Sequence, residues 1–334
     1  MAIRRVPEIR TSERAAFRKC RQAWWWGYRE GLVRKGPPAL ALWFGIGIHE
    51  ALAEHYQKGF KRGRGAKDPR KVWENYCATE FEIMRTYDGD KTEYVNAKEL
   101  GAAMLDGYLE EFGRDDHMHI ISTEQTRRIP VYDAKGRLVC YYLYTMDGVY
   151  RDRADHNKIK ILEHKTAAAI ILTHLTLDDQ AGSYLAFETL MLREAGLLRE
   201  DESIQDITYN FLRKAMPKID DRPRNARGEF LNQDGTVSKR QKIQEPLYVR
   251  KDIPRSQEAR KQIVDRLIVE VGQMDQCRKD PTQAYKNPMG GPMGCATCPF
   301  REMCELHEEG GDWEDYRDWH YKKQDPYGPY RKAA

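Results

Sequence analysis

The chain has 334 residues, enough to bury one large core or two smaller ones, so length excludes no class of enzyme. A net charge of +4 at pH 7 is too small to argue alone for a polyanionic partner, and no run near eighteen apolar residues or apolar N-terminal leader points to a membrane span or to secretion. The seven cysteines, odd in number and unevenly spaced, do not fit a small disulfide-stapled secreted domain, so some are expected to bind metal in a soluble cytoplasmic protein, in the host cytoplasm if the gene is phage-borne.

In chain order, residues 12–28 show a helical, aromatic-rich pattern that carries Cys20 and Trp24, Trp25 and Trp26, read as core. A second helix is expected after a turn at Gly45 and Gly47, with Ile48, Leu52 and Tyr56 on one stripe and His49 in its first turn. The charged loop 61–70 leads to amphipathic helices at about 70–87 and 97–113. The β signal starts at His119, turns at DAKGR and returns through LVCYYLYTMDGVY. A short strand, KIKILEHKT, follows, then a helix over 178–195 that stops near Gly196, then the strand ITYNFLRK. Residues 217–244 are polar and rich in turn formers, a loop or an inserted hairpin. PLYVRKDI reads as an edge strand, 255–276 as a long helix, and an aromatic, charged tail closes the chain. Basic residues gather at 60–71 and again at 213–242, as solvated faces or as contacts to phosphates.

The chemistry is expected on two strands. Asp147 ends one of them before Gly148; Glu163 and Lys165 stand two apart on the next and so share a face, with His164 on the other. If the strands pair, two carboxylates and an ammonium converge, and two repelling acids call for a hard, oxygen-ligated cation such as Mg2+ or Mn2+. That set suits phosphodiester hydrolysis, in which an ion polarises the phosphoryl oxygen and a lysine orients water or shields charge. His49 offers an extra nitrogen ligand, and Gln180 and Tyr184, four apart on one helical face, can reach back toward the site.

The order FGIGIHE, strand ending in DG, strand with E-x-K and helix with Q-x-x-x-Y resembles the RecB-like exonuclease branch of the PD-(D/E)XK nuclease superfamily, which includes CRISPR-associated and phage-recombination exonucleases. The resemblance covers roughly 10–215 and 285–305; Met146 stands where the family's name-giving proline would be. It implies an α/β restriction-endonuclease-like core, a mixed central sheet flanked by helices, with a helical N-terminal block and an iron-sulfur staple. His49, Asp147, Glu163 and the backbone carbonyl of His164 would hold the metal, Lys165 would be the catalytic lysine, and Gln180 and Tyr184 would belong to the helix motif beside the site. The expected organisation is one nuclease domain over 1–334. Within it lie N-terminal helices at 10–60, a helical insertion at 61–115, the sheet core at 116–255, a helix and cysteine cluster at 256–310 and a tail at 311–334.

Cys295, Cys298 and Cys304 follow a C-x2-C-x5-C spacing tight enough for one metal centre. By the resemblance Cys20 is the fourth ligand, and four thiolates suit a [4Fe-4S] cluster, with tetrahedral Zn2+ as the alternative. Cys77, Cys140 and Cys277 read as buried or incidental thiols. The expected function is a metal-dependent DNA exonuclease acting on linear, including single-stranded, ends in recombination, repair or CRISPR-type adaptation, beside a recombinase, a single-strand annealing protein or a helicase. The alternative is a DNA-binding clamp or adaptor with little cleavage of its own. The tail, WEDYRDWHYKKQDPYGPYRK, either stacks bases of a single strand or, the favoured reading, packs back on its own domain.

Overall fold

The computed structural model describes residues 6–59, 62, 68–217, 223–239, 245–291 and 294–328. Most of the basic run 60–71 and parts of 217–244 therefore lie outside the described residues. Strand β1 (Glu8–Arg10) leads into helices α1 (Thr11–Lys19) and α2 (Arg21–Trp24), the latter continued by a wider π-helical turn through Trp25–Arg29. Strand β2 (Leu32–Arg34) precedes α3 (Leu40–His55), α4 (Pro69–Met84) and α5 (Thr92–Phe112). The sheet strands β3 (Met118–Tyr132), β4 (Leu138–Asp152) and β5 (Lys158–Ala167) follow, then α6 (Asp179–Glu194), β6 (Ile204–Arg213), β7 (Tyr248–Pro254) and α7 (Gln257–Lys279). Helices α8 (Arg301–Glu309) and α9 (Trp313–His320) and strand β8 (Tyr321–Lys323) complete the chain.

The sheet is mixed and six-stranded: β3 and β5 run antiparallel to β4, β1 runs parallel to it, β5 and β6 are parallel, and β7 closes antiparallel on β6. One layer of helices (α1, α6, α7) packs on one face through Phe17, Tyr184, Leu185, Leu267 and Val271, and α3, α4 and α5 cover the other through Trp43, Ile48, Trp73 and Tyr108. Helix starts follow local chemistry. Asp68 caps α4 ahead of Pro69, Asp178 caps α6 by accepting from the Gln180 N–H, and Ser256 caps α7, each worth about 1 kcal/mol.

The β4 edge matters most for function. β3 runs along the whole of one edge, but the other is shared: β1 takes Tyr141 to Leu143 and β5 takes Gly148 to Asp152. Residues 144–147 face a gap between the two neighbours, and beyond Leu162 strand β5 leaves β4 and runs on beside β6 alone.

Two expectations need correction. Gly45 and Gly47 do not make a turn; they lie inside α3, which begins at Leu40, and His49 sits in its third turn rather than its first. A Cβ at Gly47 would come within 2.4 Å of Tyr76 and 2.5 Å of Trp73, so the glycine is there to admit two rings rather than to bend the chain. The tail packs back: Trp313 lies against Trp26 and His307, Tyr321 stacks on Phe300, and β8 pairs with β2, although Trp319 stays 79% exposed. Among the described residues no helix is long and apolar enough to cross a membrane.

Candidate active site

Asp147 and the pair Glu163 and Lys165 meet at the gap in the β4 edge. With no strand opposite it there, Asp147 turns its carboxylate across the opening, and Oδ2 accepts the backbone N–H of His164 at 2.6 Å. Asp147 Oδ1 accepts from His49 Nδ1 at 2.9 Å, which draws α3 into the site from one layer of helices. Glu163 and Lys165 share a face, as their spacing requires, and Lys165 Nζ donates to Glu163 Oε1 at 2.6 Å. The same ammonium donates to Gln180 Oε1 at 3.0 Å, and Gln180 Nε2 donates to the Tyr184 hydroxyl at 3.0 Å, which draws α6 in from the other layer. The side chains singled out for the site thus form two hydrogen-bonded sets, His49 with Asp147 and Glu163 with Lys165, Gln180 and Tyr184, joined through the backbone of β5 at His164.

Electrostatics follow from the burial. The Glu163 side chain is only 3% exposed, and burial, with the charge of Asp147 adding to it against the pull of Lys165, pushes its carboxyl up to about 7. Asp147 goes the other way: burial opposes its charge, but His49 and the His164 N–H outweigh that and hold it well below the usual carboxylate range. For His49, burial disfavours the imidazolium, yet the adjoining Asp147 carboxylate lifts its pKa overall. Lys165 is likewise raised, the charge of Glu163 overcoming burial. Each carboxylate is held by a cation of the chain itself. Among the described residues, no group of three or more His, Cys, Asp or Glu side chains is gathered as a metal-binding set.

Sequence reasoning missed several neighbours. Glu124 on β3 lies between Thr123, opposite Gly148, and Gln125, opposite Met146, and so stands level with Asp147; burial and the Asp147 charge raise its carboxyl. Its place in an alternating strand was the available signal. Asn210 on β6 lies beside His164 and bonds its ring at 2.7 Å; nothing short of the β5–β6 register could have found it.

Apart from these residues, Cys20, Cys295, Cys298 and Cys304 line one cavity of about 620 Å³, together with Trp26, Lys286 and Met289. The Asn287 N–H points at Cys20 Sγ at 3.5 Å and the Met289 N–H at Cys295 Sγ at 3.3 Å. Burial raises the thiol pKa of Cys298 and of Cys304. Cys77, Cys140 and Cys277 are buried elsewhere.

Residues 11–305 match the family model of the PD-(D/E)XK nuclease superfamily. The chain belongs to that superfamily. A search of curated proteins finds no match. Among solved structures it is similar to an alkaline exonuclease from Laribacter hongkongensis, at 11% identity over 73% of this chain and 99% of that one. The TM-score is 0.19, too slight a likeness to bear on function. PD-(D/E)XK nucleases typically use Mg2+ or Mn2+, and the donors at the β4 gap fit such an ion. They are two carboxylates, one of them nearly inaccessible to water and pushed up by burial, with the charge of the other adding to it.

Proposed function

We propose that this PD-(D/E)XK nuclease is a metal-dependent deoxyribonuclease, one nuclease unit that trims DNA from its ends. The observation that carries the reading is the convergence of Asp147, Glu163 and Lys165 at the gap beside β4, with His49 bonded to Asp147. Asp147, Glu163, His49 and the carbonyl of His164 would hold Mg2+ or Mn2+. A strand residue sends its N–H and C=O toward the same edge, so a His164 N–H that reaches Asp147 implies a carbonyl facing the same gap. A divalent ion held there supplies the positive charge that polarises a phosphoryl oxygen and acidifies a water.

The chain's own residues do the rest. Lys165, held by Glu163 and Gln180, points a fixed ammonium at the place where negative charge grows on the phosphate. Tyr184 holds Gln180, and through it the lysine, in one rotamer. The buried floor of the gap, with Tyr144 and Met146 beneath, keeps bulk water from screening these charges. The preference for DNA ends rests on the sequence resemblance to RecB-like exonucleases.

The four cysteines would hold a [4Fe-4S] cluster rather than one Zn2+. They line one cavity, with backbone N–H groups aimed at two of the sulfurs, and the choice of a cluster over zinc rests on the sequence resemblance. Such N–H···S bonds are among the levers by which proteins tune a cluster.

The test uses the full chain purified without oxygen, with end-labelled linear and closed circular DNA and Mn2+. Loss of the linear DNA alone, abolished in Glu163→Ala and in Lys165→Ala, is the expected result. Cutting of the circle would make it an endonuclease, and tight binding without cleavage of either would make it a clamp.

A further inference from the structure

Behind the site, on the face of β5 opposite Glu163 and Lys165, lies a closed set of buried polar groups. The His164 ring stacks on Tyr56 with centroids 5.5 Å apart and 29° between planes, and its Nδ1 meets the Asn210 amide at 2.7 Å. Asn210 Nδ2 also donates to the Tyr108 hydroxyl at 2.8 Å. Arg250 on β7 ties the set together: Nε donates to Asn210 Oδ1 at 3.1 Å, Nη2 donates to the Tyr56 and Tyr108 hydroxyls, both at 2.8 Å, and both terminal nitrogens reach Asp115 at 2.7 Å. Arg62 then fastens the Asp115 turn by donating to the carbonyls of Asp115 and Met118.

We infer that this network positions the metal-binding side of the gap, by fixing α3 against β5 and by clamping the His164 ring from behind. The inference rests on the proposed reading that Asp147, Glu163 and His49 hold a divalent ion.

The argument is one of degrees of freedom. Beyond Leu162, β5 has lost β4 as a neighbour and keeps only β6, so the peptide at His164 is held on its open side by a single bond to Asp147. Ring stacking and the Asn210 bond grip the same residue from the back, so its N–H, and with it the carboxylate of Asp147, cannot swing. Tyr56 caps α3 seven residues after His49, two turns down a rigid helix, so tying its hydroxyl to Arg250 and Asp115 fixes where the His49 ring arrives. A network that engages all three nitrogens of one largely buried guanidinium is costly to assemble and, when complete, specifies one arrangement. Outer residues of this kind commonly alter metal affinity by roughly 10–100-fold when removed.

The experiment titrates Mn2+ into the full chain, purified without oxygen and freed of divalent ions, by calorimetry well below the melting temperature. The chains compared are wild type, Glu163→Ala, Asn210→Leu, Tyr56→Phe and Tyr150→Phe. Tyr150 bonds Thr208 in the same sheet, away from the gap, and serves as the control for general softening. Wild type binds and Glu163→Ala does not; Asn210→Leu binds about tenfold more weakly, Tyr56→Phe several-fold more weakly, and Tyr150→Phe as wild type. In cleavage assays the Mn2+ concentration for half-maximal rate rises in parallel while KM for DNA at saturating Mn2+ stays put. Tyr56→Phe keeps the ring stack and decides the matter if Asn210→Leu does not fold. Unchanged affinity in both variants, or an equal loss in Tyr150→Phe, overturns the inference. Equal Mn2+ binding by Glu163→Ala and wild type instead overturns the reading of the site itself, and the inference with it.

Discussion

The gap beside β4 and the cavity lined by the cysteines are the two places where we propose a metal, and they are built in opposite ways. At the gap, the three central charged groups already have partners from the chain: His49 on Asp147, Lys165 on Glu163, and Gln180 on Lys165. Large cores on both sheet faces hold those partners in place. At the cavity, four cysteines line open space, and the core beside them is small: Trp26, Leu32, Phe300, Met303 and Tyr321. The difference teaches which site depends on its ligand for structure. On the proposed reading, the gap holds a destabilising buried carboxyl for the sake of chemistry, whereas the cysteine end would gain its rigidity when a metal joins its walls.

Replacing Glu163 by Gln tests the first half and carries the largest effect. Cleavage is expected to fall at least ~1,000-fold, since the charge that holds the ion is gone. Stability moves the other way. A carboxyl raised from 4.5 to about 7 binds more protons folded than unfolded between those values, so its contribution is favourable in acid and is lost as pH rises through 7. The metal-free variant should therefore be more stable than wild type by ~2 kcal/mol at pH 8 and by much less at pH 5. Urea unfolding at the two pH values reads this, and a variant that is less stable at pH 8 would give Glu163 a structural role and erase the contrast.

Cys298→Ala tests the second half. Losing a ligand opens a loop of well over 200 residues between α1 and α8, so the purified chain should lose its iron and about 3 kcal/mol of stability. Visible absorption, iron content and thermal melting measure this together. Full iron content with unchanged melting would remove the staple, leaving Cys20 and the C-terminal trio as lining only.

How far the sequence reached differs between the two regions for a physical reason. Asp147, Glu163 and Lys165 were legible because strand periodicity fixes which side chains share a face, and Gln180 and Tyr184 because helical periodicity does the same. The long strands β3, β4 and β5 and the helix over Gln257–Lys279 were legible for that reason too. Strands β1, β2 and β8, three residues each, are too short to show a period, yet β1 helps to define the gap. The start of α3 was misread because glycine inside a helix looks like a breaker until Trp73 and Tyr76 are seen to occupy the space. Asn210, Tyr108 and Arg250 could not be grouped at all, since what joins them is pairing across strands and layers far apart in the chain.

The smallest predicted effect sharpens the comparison by pH. His55, the last residue of α3, is buried, and burial, reinforced by the nearby charge of Arg62, holds its pKa down to about 4, so the fold keeps it neutral. Between the unfolded value of 6.5 and about 4 the unfolded chain binds the extra proton, so this residue costs stability as pH falls through that window. Glu163 contributes with the opposite sign over much of the same range, so the acid limb of the wild-type curve is a difference of two terms and reveals neither. Comparing His55→Leu with wild type at pH 7.5 and 5.5 isolates one of them: the variant's stability relative to wild type should rise by about 1 kcal/mol on going to pH 5.5. No such rise in His55→Leu would mean that the fold does not hold this imidazole neutral.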